Sequence, residues 1–444
     1  MTASRPSART TPGELSSRPA AAPRGRTRVL FFVQGEGRGH LTQSLALAAI
    51  LAAGGDAFEL AGFVVGRGEG REIPDYFAAR AGAPVHRIDS PRLATRTGRS
   101  GAEAISIGRT AARVAAAAPR YRQGLAAIDR LLAEVRPDLV VNFLEPMFGL
   151  YAMLRRPTVP TVSVGHQFCS LHPCWQAPPG RAFSRAQLRG YALFTSFGAA
   201  ARLALSFYPM PDHAPRRVTV VPPLLRPGLA ALPVRREPFV LAYLLKASYA
   251  SQVIAWSERH PEQRLECFWD NTDRPNPWSP TPALRFHHLD DRLFLEKMAA
   301  CSAVATTAGF ESVCEAMFLG KPALTVPVAG HYEQLGNALD AQRAGGAVFA
   351  GSFELERLLA FAAAYRPDPA FRAWVESAPG RVLAVLARVV EGARRQAGGE
   401  DQDRHHEVEQ RHLAQHAARP LVPRPHPRGS RRDRQRQADV VVHG

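Results

Sequence analysis

Long apolar runs are missing from this chain of 444 residues. No stretch approaches the ~18 consecutive apolar residues of a membrane span. The N-terminal segment has no apolar core of the kind that a secretory signal carries. Cysteine is scarce, with five residues at Cys169, Cys174, Cys267, Cys301 and Cys314. The odd count and irregular spacing argue against a disulfide framework and for a reducing compartment, so a cytoplasmic location is expected. Cys169, His172 and Cys174 lie close together. No fourth ligand follows at a recognisable spacing, and no metal site is expected. Acids are in the minority, 39 Asp and Glu against 56 Lys and Arg, for a formal net charge of +17. Six arginines face one glutamate in residues 1–28, and the segment after Arg424 is again Arg-rich. A basic surface favours anionic partners: nucleotide diphosphates, lipid phosphates, or the anionic inner face of a membrane as a peripheral contact. The Arg-rich tails lack interleaved aromatics and no nucleic-acid-binding motif appears, so nucleic acid is not the expected partner.

What is present is enough chain for two or three cores, with an ordinary hydrophobic fraction of 46%. Residues 1–26 read as a disordered basic tail. From Thr27 strand-like and helix-like segments alternate. The strand candidates are 28–33, 58–65, 84–88, 138–143, 158–164 and 217–221. Helical patterns fall at 41–53, which stops at Gly54-Gly55, and at 120–135. Alternation of this kind implies a parallel sheet with crossover helices. Residues 27–222 form the expected first domain. The proline-rich stretch 223–238 reads as a linker. A second alternation over 239–368 gives strands near 239–245, 264–269, 284–287, 303–307 and 323–326. Its helices fall near 249–259, 291–300, 312–319 and 337–344. Terminal helices are expected over 369–397. Residues 398–444 have little apolar content to offset their ordering entropy, and read as a disordered tail.

Two loops stand out. The run Val29-Leu30-Phe31-Phe32-Val33 leads into Gln34-Gly35-Glu36-Gly37-Arg38-Gly39-His40 and then a helical pattern. Far downstream, Ala303-Val304-Ala305-Thr306 leads into Thr307-Ala308-Gly309-Phe310-Glu311-Ser312 and a helix containing Glu315. A strand that ends in a glycine loop and enters a helix is a ready ligand site. Glycine lets the backbone approach closely, and the helix N-terminus offers unpaired N–H groups and partial positive charge. The first loop is not a dinucleotide fingerprint, because its third glycine falls short of G-x-G-x-x-G.

On these residues the sequence resembles inverting glycosyltransferases of the GT-B architecture, nearest to the branch with the peptidoglycan N-acetylglucosaminyltransferase and the plant small-molecule glucosyltransferases. Gly37-Arg38-Gly39-His40 matches the family's Gly-His loop. Gly309 to Ala316, with Gly320-Lys321-Pro322 and Pro327, matches its donor signature. Glu333-Gln334 before Asn337-Ala338 matches its acidic or amide pair. The resemblance implies an α/β fold of two facing Rossmann-like domains with a cleft between them. It implies transfer of a sugar, with inversion, from a nucleotide diphosphate donor, a UDP-sugar, to a hydroxyl acceptor. The nucleotide sugar is a substrate, and no cofactor or metal is implied. Glu315 aligns with the ribose-binding carboxylate. Thr307, Gly309, Phe310 and Ser312 would surround the diphosphate, Glu333 and Gln334 the sugar, and the strand end at His287 the base. His40 would be the general base, because histidine titrates near the working pH. Glu145, at the end of a strand in the same sheet, would orient it. Gly37, Gly39, His166 and Gln167 would line the acceptor side, the acceptor being a lipid-linked or glycan hydroxyl. Three departures stand against the pattern: Arg38 interrupts the glycine run, Thr307 stands where the plant signature carries a phosphate-binding histidine, and the family's aspartate near the acceptor has no evident counterpart, which leaves Glu145 as its substitute. The rival readings are a nucleotide-sugar epimerase of the same fold and a non-catalytic sugar-nucleotide or glycan-binding protein.

Overall fold

The computed structural model describes residues 25–67, 73–90, 95–97, 103–105, 118–244 and 249–417. The expected tail over residues 1–24 and the part of the C-terminal tail beyond 417 lie outside the described residues.

The first sheet contains β1 (Thr27–Gln34), β2 (Phe58–Arg67) and β3 (Val85–Asp89). A short separate hairpin, β4 (Thr95–Thr97) with β5 (Glu103–Ile105), follows. The sheet resumes with β6 (Leu139–Phe143), β7 (Thr161–Gly165), β8 (Ala201–Leu205) and β9 (Val218–Val221). Its order is β3-β2-β1-β6-β7-β8-β9, with all pairs parallel. Strands buried on both faces read as continuous apolar runs, and Val29 to Val33 are fully buried in β1. The helices are α1 (Arg38–Ala53), α2 (Asp75–Arg80), α3 (Ala118–Val135), α4 (Pro146–Arg155) and α5 (Ala182–Thr195). Helix α4 starts where the sequence specifies a start: the Glu145 carboxylate accepts from the Met147 N–H and proline occupies the first turn.

The second sheet contains β10 (Phe239–Leu244), β11 (Arg264–Trp269), β12 (Trp278–Thr281), β13 (Leu284–His288), β14 (Ala303–Thr306), β15 (Ala323–Thr325) and β16 (Ala347–Phe349). Its order is β12-β13-β11-β10-β14-β15-β16, parallel except for the edge strand β12. The helices here are α6 (Ala250–Arg259), α7 (Asp291–Ala300), α8 (Phe310–Phe318), α9 (Tyr332–Arg343) and α10 (Leu355–Ala364). In both sheets the order reverses beside the first strand, the arrangement that places ligands beyond the carboxyl ends of the strands.

Two terminal helices follow, α11 (Pro369–Glu376) and α12 (Ala378–Ala417). They return to the first domain. The Trp374 indole donates to the Ser206 carbonyl at 3.0 Å, and Val382, Val385 and Leu386 join the core that holds Val29 and Phe31. Helix α12 runs well past Gly398, where a disordered tail was expected. Extending a helix already nucleated by packing costs little, and no proline interrupts the chain between Pro379, in the first turn of α12, and Pro420. Strand β8 was also not expected, since Ala201-Arg202-Leu203-Ala204-Leu205 has helix-forming composition. Its place between β7 and β9 overrides that preference.

Candidate active site

The glycine loop after β1 folds tightly against β2. The Gly35 N–H donates to the Gly66 carbonyl at 2.9 Å, and a Cβ on Gly35 would stand 2.3 Å from that oxygen. Gly37 is the N-cap of α1 in extended conformation. His40 therefore sits in the first turn of α1. Its Nδ1 lies 3.4 Å from the Gln43 amide oxygen, one turn on. Burial lowers the His40 pKa, against the charge of Glu333 and the Gln43 contact, which raise it. A neutral imidazole in this place can accept a proton.

The loop after β14 faces α1 from the second domain. Ala308 adopts a left-handed conformation at φ 57°, and Gly309 caps α8. Thr307 is buried. The Ser312 hydroxyl lies 3.3 Å from that of Thr306 and donates to the Gly309 carbonyl at 3.1 Å. Phe310 crosses to the first domain and stacks on His166, with ring centroids 4.1 Å apart. Glu311 crosses as well. Gln43 Nε2 donates to Glu311 Oε1 at 2.6 Å, joining residues 268 positions apart. The second Glu311 oxygen is buried without a hydrogen-bond partner among the described residues. Burial pushes the Glu311 pKa up to about 8, against the Gln43 hydrogen bond. Gly39 packs beside it: a Cβ there would lie 3.5 Å from Glu311 Cγ, an ordinary van der Waals distance.

One turn further on, Glu315 is fully buried beneath Arg226 of the linker. Arg226 Nε and Nη2 reach the two Glu315 oxygens at 2.6 and 2.7 Å. The third guanidinium nitrogen pairs with Asp291, whose other oxygen takes Arg80 at 2.5 Å. Both oxygens expected to meet a ribose diol are thus held by a guanidinium.

The remaining expected residues divide. Gln167 Nε2 donates across the cleft to Glu333 Oε1 at 2.9 Å. His166 Nδ1 contacts the Leu205 carbonyl at 2.6 Å, which makes it the donor nitrogen, and its Nε2 lies 3.8 Å from Asp340. Burial lowers the His166 pKa. Gln334 Oε1 accepts from the Val328 N–H at 2.8 Å, so that oxygen fixes the loop before α9. The pairing expected between Glu145 and His40 does not occur among the described contacts. Glu145 accepts from the Ser90 hydroxyl at 2.5 Å and from the Met147 N–H at 2.9 Å, because it is the cap of α4. Burial pushes its pKa up to about 8. A Cβ on Gly66 would stand 2.0 Å from its carboxylate, so glycine makes room for it. The His287 ring is bound to Glu266 at 2.5 Å and stacks on Phe268, leaving the strand-end backbone as the part able to meet a ligand. Cys169 and His172 contact backbone carbonyls of Leu205 and Pro211.

Four residues of this cleft went unread in the sequence: Gln43, Glu311, Arg226 and Asp340. Helical spacing carried a signal for two. Gln43 is three residues from His40 and Glu311 four from Glu315, on shared helix faces. Asp340 sits at a domain junction, accepting from Trp175 at 2.7 Å, Tyr208 at 3.0 Å and Arg343 at 2.8 Å.

Comparison with known proteins agrees with this architecture. The structure of the glycotransferase of kitacinnamycin aligns at 18% identity over 84% of this chain and 100% of its own, with a TM-score of 0.52. Arabidopsis thaliana UGT89C1, solved with quercetin, aligns at 15% identity over 82% of this chain and 100% of its own, TM-score 0.53. Phytolacca americana UGT2, solved with UDP-2fluoro-glucose and pterostilbene, aligns at 12% identity over 82% and 100%, TM-score 0.53. At these identities the likeness is one of fold, the two-domain GT-B arrangement. No curated protein matches the sequence. The sequence model of glycosyl transferase family 1 matches residues 27–364. The two glycine loops and the cleft they close both fall within that span, and the chain belongs to glycosyl transferase family 1.

Proposed function

We propose that the protein transfers a sugar from a UDP-sugar to a hydroxyl acceptor, with inversion and without a metal. The observation that supports this most is the meeting of the two loops: Gln43, one turn from His40, hydrogen-bonds Glu311 in the first turn of α8. A base from one domain is thereby set against an anion-binding helix terminus from the other. In the proposed step the His40 imidazole takes the proton of the acceptor hydroxyl as its oxygen bonds to the anomeric carbon. The bond to the diphosphate breaks, and its electron pair leaves with the diphosphate. N–H groups at the start of α8, around Gly309 to Ser312, stabilise the charge of the leaving group. Gln43, rather than Glu145, orients the imidazole. Ribose binding at Glu315 requires Arg226 to release at least one oxygen. Glu333 and the Gln334 amide nitrogen face the sugar. The basic composition supports a peripheral contact with an anionic membrane, and the five unpaired cysteines support a cytoplasmic location.

Calorimetric titration with UDP, GDP and dTDP tests the donor site. UDP is expected to bind saturably, and Glu315→Gln to weaken it. His40→Ala is expected to lower kcat by about 10²–10⁴-fold while UDP binding stays unchanged. Product anomer analysis decides inversion, and turnover in EDTA decides the metal. Absence of UDP binding by folded protein would sink the donor assignment.

A further inference from the structure

Arg38 interrupts the glycine run, and no part of the step above uses it. It stands in the first turn of α1, one position before Gly39, which packs beside Glu311 of α8. The residue is exposed. Its guanidinium meets no carboxylate among the described residues and lies instead against a ring, 5.8 Å from the centroid of Tyr76 in α2. Arg80, at the end of α2, lies 5.9 Å from the same centroid. Tyr76 ties both arginines to the donor side of the cleft: the charges of Arg38, Asp291, Arg226 and Arg80 all act on its phenol. The other charges of this group are matched. Arg226 covers both Glu315 oxygens and reaches one oxygen of Asp291, and Arg80 takes the other. Three guanidiniums thus stand with two carboxylates, and the surplus positive charge rests on Arg38.

A guanidinium carries five N–H donors and no acceptor, and its planar fork matches the oxygens of a phosphate. A ring beneath it fixes its plane and leaves its N–H edge free. We propose that Arg38 is a donor-binding residue, which pairs with the diphosphate of the nucleotide sugar from the first domain while the N–H groups of α8 hold it from the second. Tyr76 positions the guanidinium for that contact. One anion is then held by both domains, so its binding draws them together. The residue that breaks the glycine run supplies a cation that glycine could not. The proposal rests on the glycosyl-transfer reading for the identity of the anion, and on the unmatched charge at the cleft for the contact itself.

The test titrates the full chain with UDP, uridine and inorganic pyrophosphate, which separates the phosphates from the base. Arg38→Ala is expected to weaken UDP and pyrophosphate by about tenfold, the loss of one charge-assisted contact, and to leave uridine unchanged. Arg38→Lys, which keeps the charge without the fork, is expected to recover part of that loss. Unchanged UDP affinity in Arg38→Ala would make Arg38 an ordinary solvated cation and overturn the proposal, with the donor site still standing. An equal loss for uridine would overturn it as well, because the variant would then disturb the loop rather than a phosphate contact. Pyrophosphate binding that depends on Arg38, in a protein that binds no UDP, would refute the donor reading and keep the anion contact. A protein that binds neither would refute both.

Discussion

Glu311 and Glu315 stand one turn apart on α8, both buried, and the structure treats them in opposite ways. Glu315 has a guanidinium laid across both its oxygens. Glu311 has one amide hydrogen on one oxygen and nothing among the described residues on the other. The first arrangement matches a buried charge with a charge. The second leaves a carboxyl whose charged form is penalised by desolvation, and its pKa rises to about 8. The same helix face therefore carries one carboxyl that anchors the linker and one that crosses the cleft toward the His40 turn. Burial alone does not tell a structural acid from a titrating one; the chemistry of the partner does.

Removing the cation breaks the comparison most directly. Arg226→Ala leaves Glu315 buried without its counter-charge and releases Asp291 from the same guanidinium. A loss of about 3–5 kcal/mol is expected, the usual cost of stripping one partner from a buried ion pair. Urea denaturation at neutral pH measures it. Replacing the pair together, Arg226→Met with Glu315→Leu, is expected to recover most of that loss because the buried charges disappear together. A single variant as stable as the wild type would mean that the pair is open to solvent in solution.

The second prediction sharpens the contrast through pH. Glu311, and Glu145 likewise, have native values near 8 against an ordinary 4.5. Below that ordinary value the native and unfolded states are both protonated, and stability does not depend on these groups. Between it and about 8, the unfolded chain loses protons that the native state keeps. Stability therefore falls as pH rises through that window and levels off above it. Glu311→Gln keeps the acceptor for Gln43 and cannot ionise. It is expected to be more stable than the wild type by about 1–3 kcal/mol at alkaline pH, with the difference shrinking to nothing in acid. Denaturation midpoints taken across that range check it. A difference independent of pH would show that Glu311 does not titrate as its burial implies.

How much of this was legible beforehand follows from where the information lies. The sheets were legible because Val29 to Val33 and Ala303 to Ala305 are apolar runs that lead into the loops at Gly35 and Gly309, and a strand buried on both faces needs little else. Strand β8 was not, because its composition favours a helix and only its neighbours make it a strand. The two glycine loops were legible from spacing. The partners of the side chains on them were not: Gln43 meets Glu311 only once two domains dock, and no local rule links positions 268 apart. Arg226 was read only as part of a proline-rich linker, since a guanidinium in such a stretch is usually solvated. Glu145 was placed correctly at a strand end, but its role as a helix cap commits its oxygens to Met147 and Ser90 rather than to His40.

The smallest expected effect isolates the contact itself. Gln43→Leu removes the amide that holds Glu311 and places apolar volume of similar size between α1 and α8. Its loss is expected to cost only about 1 kcal/mol at neutral pH, one hydrogen bond to a carboxyl that is mostly protonated there. The penalty should grow at alkaline pH, because the ionised Glu311 then has no donor at all. The same variant removes the oxygen 3.4 Å from His40 Nδ1, so the pH–rate profile should move at its acidic limb while UDP affinity holds. A stability loss without any movement of that limb would confine Gln43 to joining the domains. A shifted limb would make it the residue that orients the base, and Glu311 the group that holds Gln43 in place from the other side of the cleft.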